Sequence, residues 1–245
     1  MTGIASLPMY DLPGVEGETD ILWGCLRDAL HEGGLQAPQD LDRAEPDAVH
    51  WRAPDLVLGH TCGLPLVKGM AGEATVLGAF DFGLEECPPG FYNSVIIGRG
   101  GDLGDDLIGA SYAYNSRHSQ SGYAALKTTF GARLGEGVET GSHLASLAHV
   151  AEGVADVAAI DAVTWRLAVR TGFGDNLWQR VDQIGRTDPT PGLPLITAPG
   201  RDPVPFQRAL SKGIAEFAAR PNILGIRGFV AFDLADYQAA IKVVD

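Results

Sequence analysis

Short apolar runs alternate with helical patterns along this chain, and that alternation restricts its fold more than any other feature. Runs typical of strands lie at Ile4–Met9, Asp55–Thr61 and Ala74–Phe80. After the first run, a pattern that starts at Thr19 or Asp20 and stops at Gly33-Gly34 predicts a helix to about Glu32. Alternating strands and helices form mostly parallel sheets covered on both faces, so we expect an α/β protein.

The middle of the chain is set apart by two turn-rich passages, Glu85–Gly90 and Asp188–Pro194. Between them we expect strands at Phe91–Ile97, Ile108–Tyr114, Gly137–Thr140 and Asp156–Ile160, and helices at about 119–130, 142–152 and 161–169. After them we expect a strand at Leu195–Thr197, a helix at Pro205–Ala219, a strand at Gly228–Phe232 and a helix from Asp233.

Two breaks in one chain predict a hinged protein. Residues 1–86 and 194–245 would form lobe 1, and residues 87–193 would form lobe 2. Each lobe would be a mostly parallel sheet flanked by helices, and the chain would cross the hinge twice. In such proteins ligands sit in the cleft between the lobes.

The charge balance limits the possible partners. The formal net charge is −13, from 31 acidic and 18 basic residues, and the basic residues form no cluster. A nucleic-acid binder needs such a cluster to displace counterions from phosphates, so we exclude that class. No apolar stretch approaches the roughly 20 residues that span a bilayer, which argues against membrane insertion. An acidic protein can still hold a small anion through local N–H and O–H donors.

The sequence predicts neither a metal nor a cofactor. Its three cysteines, Cys25, Cys62 and Cys87, are too few and too scattered for a disulfide framework. His60 and Cys62 lack the second pair that a zinc site needs and the positioned third group that a nucleophilic cysteine needs. The glycine-rich stretch Gly98–Gly104 has neither Rossmann nor P-loop spacing.

Residues Ser119, Gln120, Ser121 and Gly122 follow a predicted strand and open a predicted helix. The first turn of a helix has unpaired N–H groups and the positive end of the dipole, so it attracts anions. The two serines add hydroxyl donors, and the glycine lets a ligand approach the backbone. The alternative interpretation is plain N-capping by serine.

Ser142 and His143 form a second junction of this kind, again between a strand and a helix. Ser142 can cap the helix, and His143 could donate to an oxyanion from its first turn; the alternative is a capped helix with a solvated histidine. Two helix starts of this kind in one lobe indicate that both lie at the same edge of its sheet. Ligands of open α/β sheets bind outside the carboxyl ends of the strands.

Three further places could contact a ligand. Asp161 ends a buried strand and Trp165 lies one helical turn later, so the pair could accept an amine or cation; alternatively, Asp161 only caps the helix and Trp165 packs in the core. Tyr10 follows the first strand, and Thr61 follows the second predicted one. Each of these two is otherwise an ordinary loop residue.

Several segments, in their order and spacing, resemble the PhnD/SsuA/transferrin-like substrate-binding proteins of phosphate, phosphite and phosphonate ABC transporters. The matching segments are 5–10 (Ala-Ser-Leu-Pro-Met-Tyr), 55–65, 87–92, 119–122 (Ser-Gln-Ser-Gly), 141–143 (Gly-Ser-His), 150–161 and 190–197. The resemblance implies a two-lobed periplasmic-binding-protein-like type II fold that closes on a small anionic ligand, with an ABC permease as partner.

The resemblance also implies roles for individual residues. Ser119, Gln120, Ser121 and His143 match the oxyanion-binding positions, while Tyr10 and Asp161 match an aromatic and an acidic residue that contact the ligand. The family has a hydroxyl residue where this chain has Gln120. That departure leaves a carboxylate or a sulfonate open beside a phosphonate.

The N-terminus has no basic segment followed by an apolar one, so we expect a cytoplasmic chain as given, or a periplasmic one from which a signal peptide was removed. Relatives of this fold without export signals include biosynthetic enzymes of the menaquinone and thiamine-pyrimidine pathways. An enzyme of that kind is the alternative to a binding protein, and fold alone does not decide between them.

Overall fold

The computed structural model describes residues 3–44, 47–99 and 107–243, and they divide into two compact units. The first unit runs to Phe91 and resumes at Pro191–Ala240, and the second comprises Tyr92–Thr190 and the residues from Ile241. The boundaries between the units thus lie a few residues inside the predicted lobe 2, residues 87–193. The C-terminal residues group with the second unit rather than with the first. Most of the glycine-rich stretch Gly98–Gly104 lies outside the described residues.

The strands are β1 (Ile4–Ser6), β2 (Leu56–His60), β3 (Thr75–Asp81), β4 (Phe91–Tyr92), β5 (Ser94–Gly98), β6 (Tyr112–Tyr114), β7 (Gly137–Glu139), β8 (Val157–Asp161), β9 (Asp182–Arg186), β10 (Thr190–Pro191), β11 (Leu195–Thr197) and β12 (Gly228–Val230). The helices are α1 (Glu16–Glu32), α2 (Asp47–His50), α3 (Gly63–Gly69), α4 (Ala125–Phe130), α5 (His143–Glu152), α6 (Ala162–Thr171), α7 (Phe173–Asn176), α8 (Pro203–Ala218) and α9 (Leu234–Ala240). Over the described ranges, none of these helices has the length and apolar character that crossing a bilayer requires.

The α/β class is confirmed, but both main sheets are mixed rather than mostly parallel. The first unit has the order β1-β2-β11-β3-β12, in which β1 and β2 form the one parallel pair and β11 and β12 run against β1, β2 and β3. The second has the order β7-β6-β8-β5-β9, in which β7, β6 and β8 are parallel and β5 runs against both of its neighbours. Strand β9 forms the edge, and β5, by which the chain enters this sheet, lies between β9 and β8.

Two predicted strands are shorter than expected because turns replace their ends. Pro8 opens a 3₁₀ turn, Pro8–Tyr10, so β1 stops at Ser6. The strand expected at Ile108–Tyr114 begins only at Tyr112, since a turn joins the Ala110 N–H to the Leu107 carbonyl at 3.2 Å. Strand β9 was not predicted; all five of its residues are exposed or half-buried, so it has no apolar pattern.

Helix α1 starts at Glu16, ahead of the predicted cap. Thr19 is buried inside its first turns, and its Oγ1 donates to the Val15 carbonyl rather than capping the helix. Glu16 and Glu18 place negative charge near the positive end of the helix dipole, which favours this earlier start. The apolar face of α1, with Leu22, Leu26 and Leu30 buried at i, i+4 and i+8, packs on α8.

Gly213 determines how closely α8 approaches α1. A Cβ atom at this position would lie 2.7 Å from the carbonyl oxygen of Cys25 and 3.0 Å from the Cα of Leu26, both of them backbone atoms of α1. Backbone atoms cannot move aside as a flexible side chain can. The glycine is therefore required by helix packing rather than by a turn.

We expect Gly213→Ala to lower the free energy of unfolding by about 1–3 kcal/mol, because the added methyl group forces the two helices apart. Urea denaturation of both proteins measures the change. Gly24→Ala on α1 is the matched control: nothing lies within 4 Å of its Cβ position. It should raise stability by about 0.5–1 kcal/mol through helix propensity. Equal effects of the two substitutions would contradict this account of the packing.

Candidate functional site

Three neighbouring parallel strands of the second unit end at one edge of its sheet. Residues Ser119–Gly122 follow β6, and Ser142 and His143 follow β7, while Asp161 is the last residue of β8. Because β7, β6 and β8 are adjacent and parallel, their carboxyl ends point the same way. This is the edge at which open α/β sheets bind ligands.

The helix after β6 opens with a π-helical turn, Gln120–Ala124, and continues as α4. Ser119 is the N-cap, and its Oγ accepts a hydrogen bond of 2.9 Å from the Gly122 N–H. The first backbone bond of the helix runs from Ala124 N to the Ser119 carbonyl at 3.0 Å, five residues apart. Single π turns of this kind occur frequently at functional sites. The capping interpretation is thus correct for Ser119, and it leaves a ligand role open for the rest of the turn.

The second helix start meets the first through one hydrogen bond. Ser142 caps α5 by accepting from the Ala145 N–H at 3.0 Å, and His143 is the first residue of that helix. The His143 Nε2 and the Ser121 Oγ are 2.8 Å apart and share a hydrogen bond. The two junctions that the sequence singles out are therefore in contact.

Burial lowers the pKa of His143 to about 4, and the Ala159 backbone opposes this shift only in part. The imidazole is consequently neutral near pH 7. The two helix starts thus offer hydroxyl, imidazole and amide groups without the positive charge of a protonated histidine.

Asp161 and Trp165 lie beside this junction. The Asp161 Oδ1 accepts from Val163 N at 2.8 Å and from Thr164 N at 3.1 Å, so the carboxylate caps α6. Trp165 is buried one turn further on. Ser94, which pairs with Asp161 across the sheet, donates from its Oγ to the Ser121 carbonyl at 2.9 Å. Asp161 therefore caps a helix and Trp165 packs in the core, as the alternative interpretation expected. Contact of either residue with a ligand stays a prediction.

Tyr10 and Thr61 belong to the first unit, where they follow the parallel strands β1 and β2. The Tyr10 ring packs edge-on against His60 and Phe82, with centroids 5.5 and 5.2 Å apart. Burial lowers the pKa of His60 to about 3, so this imidazole is neutral as well. Thr61 is buried, and its Oγ1 finds no hydrogen-bond partner among the described residues.

A pocket with about 270 Å³ of empty volume, part of it open, lies within the first unit beside this aromatic cluster. Its lining is almost wholly apolar and comprises Leu7, Tyr10, Thr19, Leu22, His60, Phe80, Phe82, Leu224 and Ile226. Among the residues that the structure describes, no group of three or more His, Cys, Asp or Glu side chains could hold a metal ion.

Sequence reasoning missed Asn115 and Thr140, which complete the junction. Asn115 directly follows β6, and its Oδ1 faces Gly122 so closely that a Cβ atom there would lie 2.0 Å away. Thr140 follows β7; its Oγ1 donates to the Tyr114 carbonyl at 3.1 Å and shares a 2.7 Å hydrogen bond with Ser146. The available signal was that Asn115, like Asp161, directly follows a predicted strand and that Thr140 ends one.

The model of one protein family, described as the periplasmic substrate-binding protein of phosphonate ABC transporters, matches residues 61–238. This chain belongs to that family. The match covers well over half of the chain and includes both helix starts. The membership expected from the segments above is thus confirmed, and with it substrate binding linked to ABC transport. No curated protein matches the chain by sequence.

Solved structures confirm the two-lobed type II fold. PhnD1 from Prochlorococcus marinus, in complex with methylphosphonate, has a TM-score of 0.70 at 13% identity, with 98% of this chain and 96% of that one covered. A phosphonate-transporter binding protein from Pseudomonas aeruginosa (PA3383) gives 0.65 at 14% identity, covering 97% and 84%. XAC2383 from Xanthomonas citri, bound to ATP, gives 0.64 at 16% identity, covering 92% and 94%. At these identities the likeness concerns the fold alone.

Gly122→Ala should destabilise the protein by about 1–3 kcal/mol, because its methyl group would overlap the Asn115 side chain. The backbone conformation of Gly122 is one that any residue adopts, so the cost comes from space alone. Denaturation of Gly122→Ala, Asn115→Ala and the double variant tests this. Most of the loss should disappear in the double variant, and strict additivity of the two single changes would contradict the proximity argument.

The lowered pKa of His143 makes stability depend on pH in one direction. The unfolded chain takes up a proton below pH 6.5 and the folded protein only near pH 4, so stability is full above pH 6.5 and falls between these values. One such group contributes at most about 1.4 kcal/mol per pH unit. His143→Gln should reduce the loss of unfolding free energy between pH 7 and pH 5.

Urea denaturation at both pH values checks this expectation, with His118→Gln, which removes an exposed imidazole, as the control. His60 acts in the same direction in both proteins, so the difference between variant and parent isolates His143. An unchanged pH dependence in His143→Gln would show that this imidazole does not titrate as described.

Proposed function

We propose that this protein binds a small oxyanion, of which methylphosphonate is the first to test, and delivers it to an ABC permease. The observation that carries the proposal is the hydrogen bond between Ser121 and His143, which joins two helix starts at the carboxyl ends of adjacent parallel strands. Each start directs N–H groups and a dipole end toward the same edge. Together they make a neutral cluster of donors suited to an anion.

Neutral donors suit a protein with this charge. The formal net charge of −13 repels an anion at long range, so recognition depends on close and well-placed hydrogen bonds. Hydrogen bonds to a charged oxygen are roughly twice as strong as those between neutral groups. Family membership supports a phosphonate, and the complex of PhnD1 with methylphosphonate supplies the probe.

The remaining predicted contacts belong to the same proposal. Gln120, Gly122 and Ser142 lie in the two helix starts, and we propose that they contact the oxyanion or its surroundings. Asp161 and Trp165 would accept an amine or cation of the ligand, and Tyr10 and Thr61 stay predicted ligand contacts. Because Gln120 stands where the family has a hydroxyl residue, the chemical identity of the anionic group stays open. Phosphate, phosphite and sulfonates should therefore be tested beside methylphosphonate.

Ser121→Ala should weaken methylphosphonate binding by about 1–3 kcal/mol, or roughly 5- to 150-fold, because a hydroxyl bonded to a charged group is lost. Isothermal titration calorimetry at constant salt measures the affinity. Thr128→Ala removes an exposed hydroxyl four residues after the π turn and serves as the matched control.

Equal affinity of Ser121→Ala and the parent protein would refute the role given to the helix start. No heat of binding with any tested oxyanion would refute the anion itself. Incubation with the probe, followed by phosphorus NMR, separates binding from catalysis: a binding protein leaves the spectrum of methylphosphonate unchanged. Conversion of the probe would favour the enzyme interpretation.

A further inference from the structure

Asn115 lies between the two helix starts without taking part in either cap. It is the first residue after β6, and its carbonyl accepts a hydrogen bond of 2.9 Å from the Gly141 N–H. That bond holds the loop before Ser142 against the end of β6. The backbone of Asn115 therefore explains how the second helix start is held in place, but it leaves the side chain unexplained.

The side-chain amide packs where only a glycine permits it. A Cβ atom on Gly122 would lie 2.0 Å from the Asn115 Oδ1 and 3.2 Å from the His143 Cε1. Since Gly122 does not have a left-handed backbone conformation, the glycine serves this close approach and not a turn. Asn115, Gly122 and His143 thus converge on one point at the sheet edge.

The Asn115 side-chain amide also makes no hydrogen bond to the described residues. Its Oδ1 is buried there without a hydrogen-bond donor, and no hydrogen bond from its N–H groups joins it to another described residue. A buried polar atom without a partner costs roughly 1–3 kcal/mol, so such atoms are rare in native proteins. A smaller side chain at position 115 would avoid that cost, which argues that the amide has a use beyond folding.

We propose that Asn115 is a further ligand-binding residue, whose side-chain amide donates an N–H to the oxyanion held by the two helix starts. This inference rests on the function proposed above and adds to it a donor that determines specificity. An amide carries two N–H donors and no charge, whereas a carboxylate of the same shape can only accept. The N–H groups can donate to an ionised oxygen while the Oδ1 stays packed against Gly122.

Two substitutions test the inference. Asn115→Asp keeps the shape but replaces the donor with a negative charge, so methylphosphonate affinity should fall at least 30-fold at pH 8. Asn115→Ala removes the amide and should lower affinity about 10-fold, while the melting temperature stays the same or rises because the unsatisfied Oδ1 is gone. Asn176→Asp adds the same charge at an exposed residue of the same unit and should bind as the parent does.

The measurements are calorimetric titration with methylphosphonate and thermal unfolding of each variant without ligand. Parental affinity in both Asn115 variants would overturn the inference and leave the proposed function intact if Ser121→Ala still weakens binding. A melting temperature that falls in parallel with affinity in Asn115→Ala would mark Asn115 as a structural residue and also overturn it. Failure of the parent protein to bind any oxyanion would overturn the proposed function itself.

Discussion

The parallel pairing of β6 with β7 on one side and with β8 on the other determines the candidate site. Side chains that are distant in the sequence come together because each follows a strand that ends at the same edge. Residues 119–122, 142–143 and 161 are separated by about 20 positions at each step, yet Ser121 touches His143 directly, and Ser94 joins Ser121 to Asp161. If β7 were paired elsewhere, the two helix starts would each be an ordinary cap.

Burial then determines the chemistry of this edge. Desolvation keeps His143 neutral, so its Nε2 can share a hydrogen bond with a serine hydroxyl instead of carrying a charge. Burial acts in the same way in the first unit, where it keeps the His60 imidazole neutral among the rings of Tyr10, Phe80 and Phe82. An acidic protein that binds anions with neutral donors gains selectivity from geometry. The overall field of such a protein opposes binding of the anion, and salt screens that repulsion.

Glycines supply the close approaches on which both the fold and the site depend. Gly213 lets α8 contact the backbone of α1, and Gly122 lets the Asn115 amide lie against the π turn. A hydrophobic pattern shows neither approach: Gly213 is there only a weak helix former, and Gly122 indicated space for a ligand rather than for Asn115. The atoms that a Cβ would meet come from distant parts of the sequence in the first case and from a neighbouring strand end in the second.

The sequence by itself determined the α/β class, most helices and strands to within a few residues, the family, and both helix starts, because hydrophobic period and capping residues are local signals. It did not determine the direction of β5, β11 and β12, which depends on where the chain enters and leaves each sheet. Nor did it reveal the Ser121–His143 bond, the approach of Asn115 to Gly122 or the neutral imidazoles. Those features arise from strand order and burial, which depend on contacts between residues far apart in the chain, so only the tertiary structure decided them.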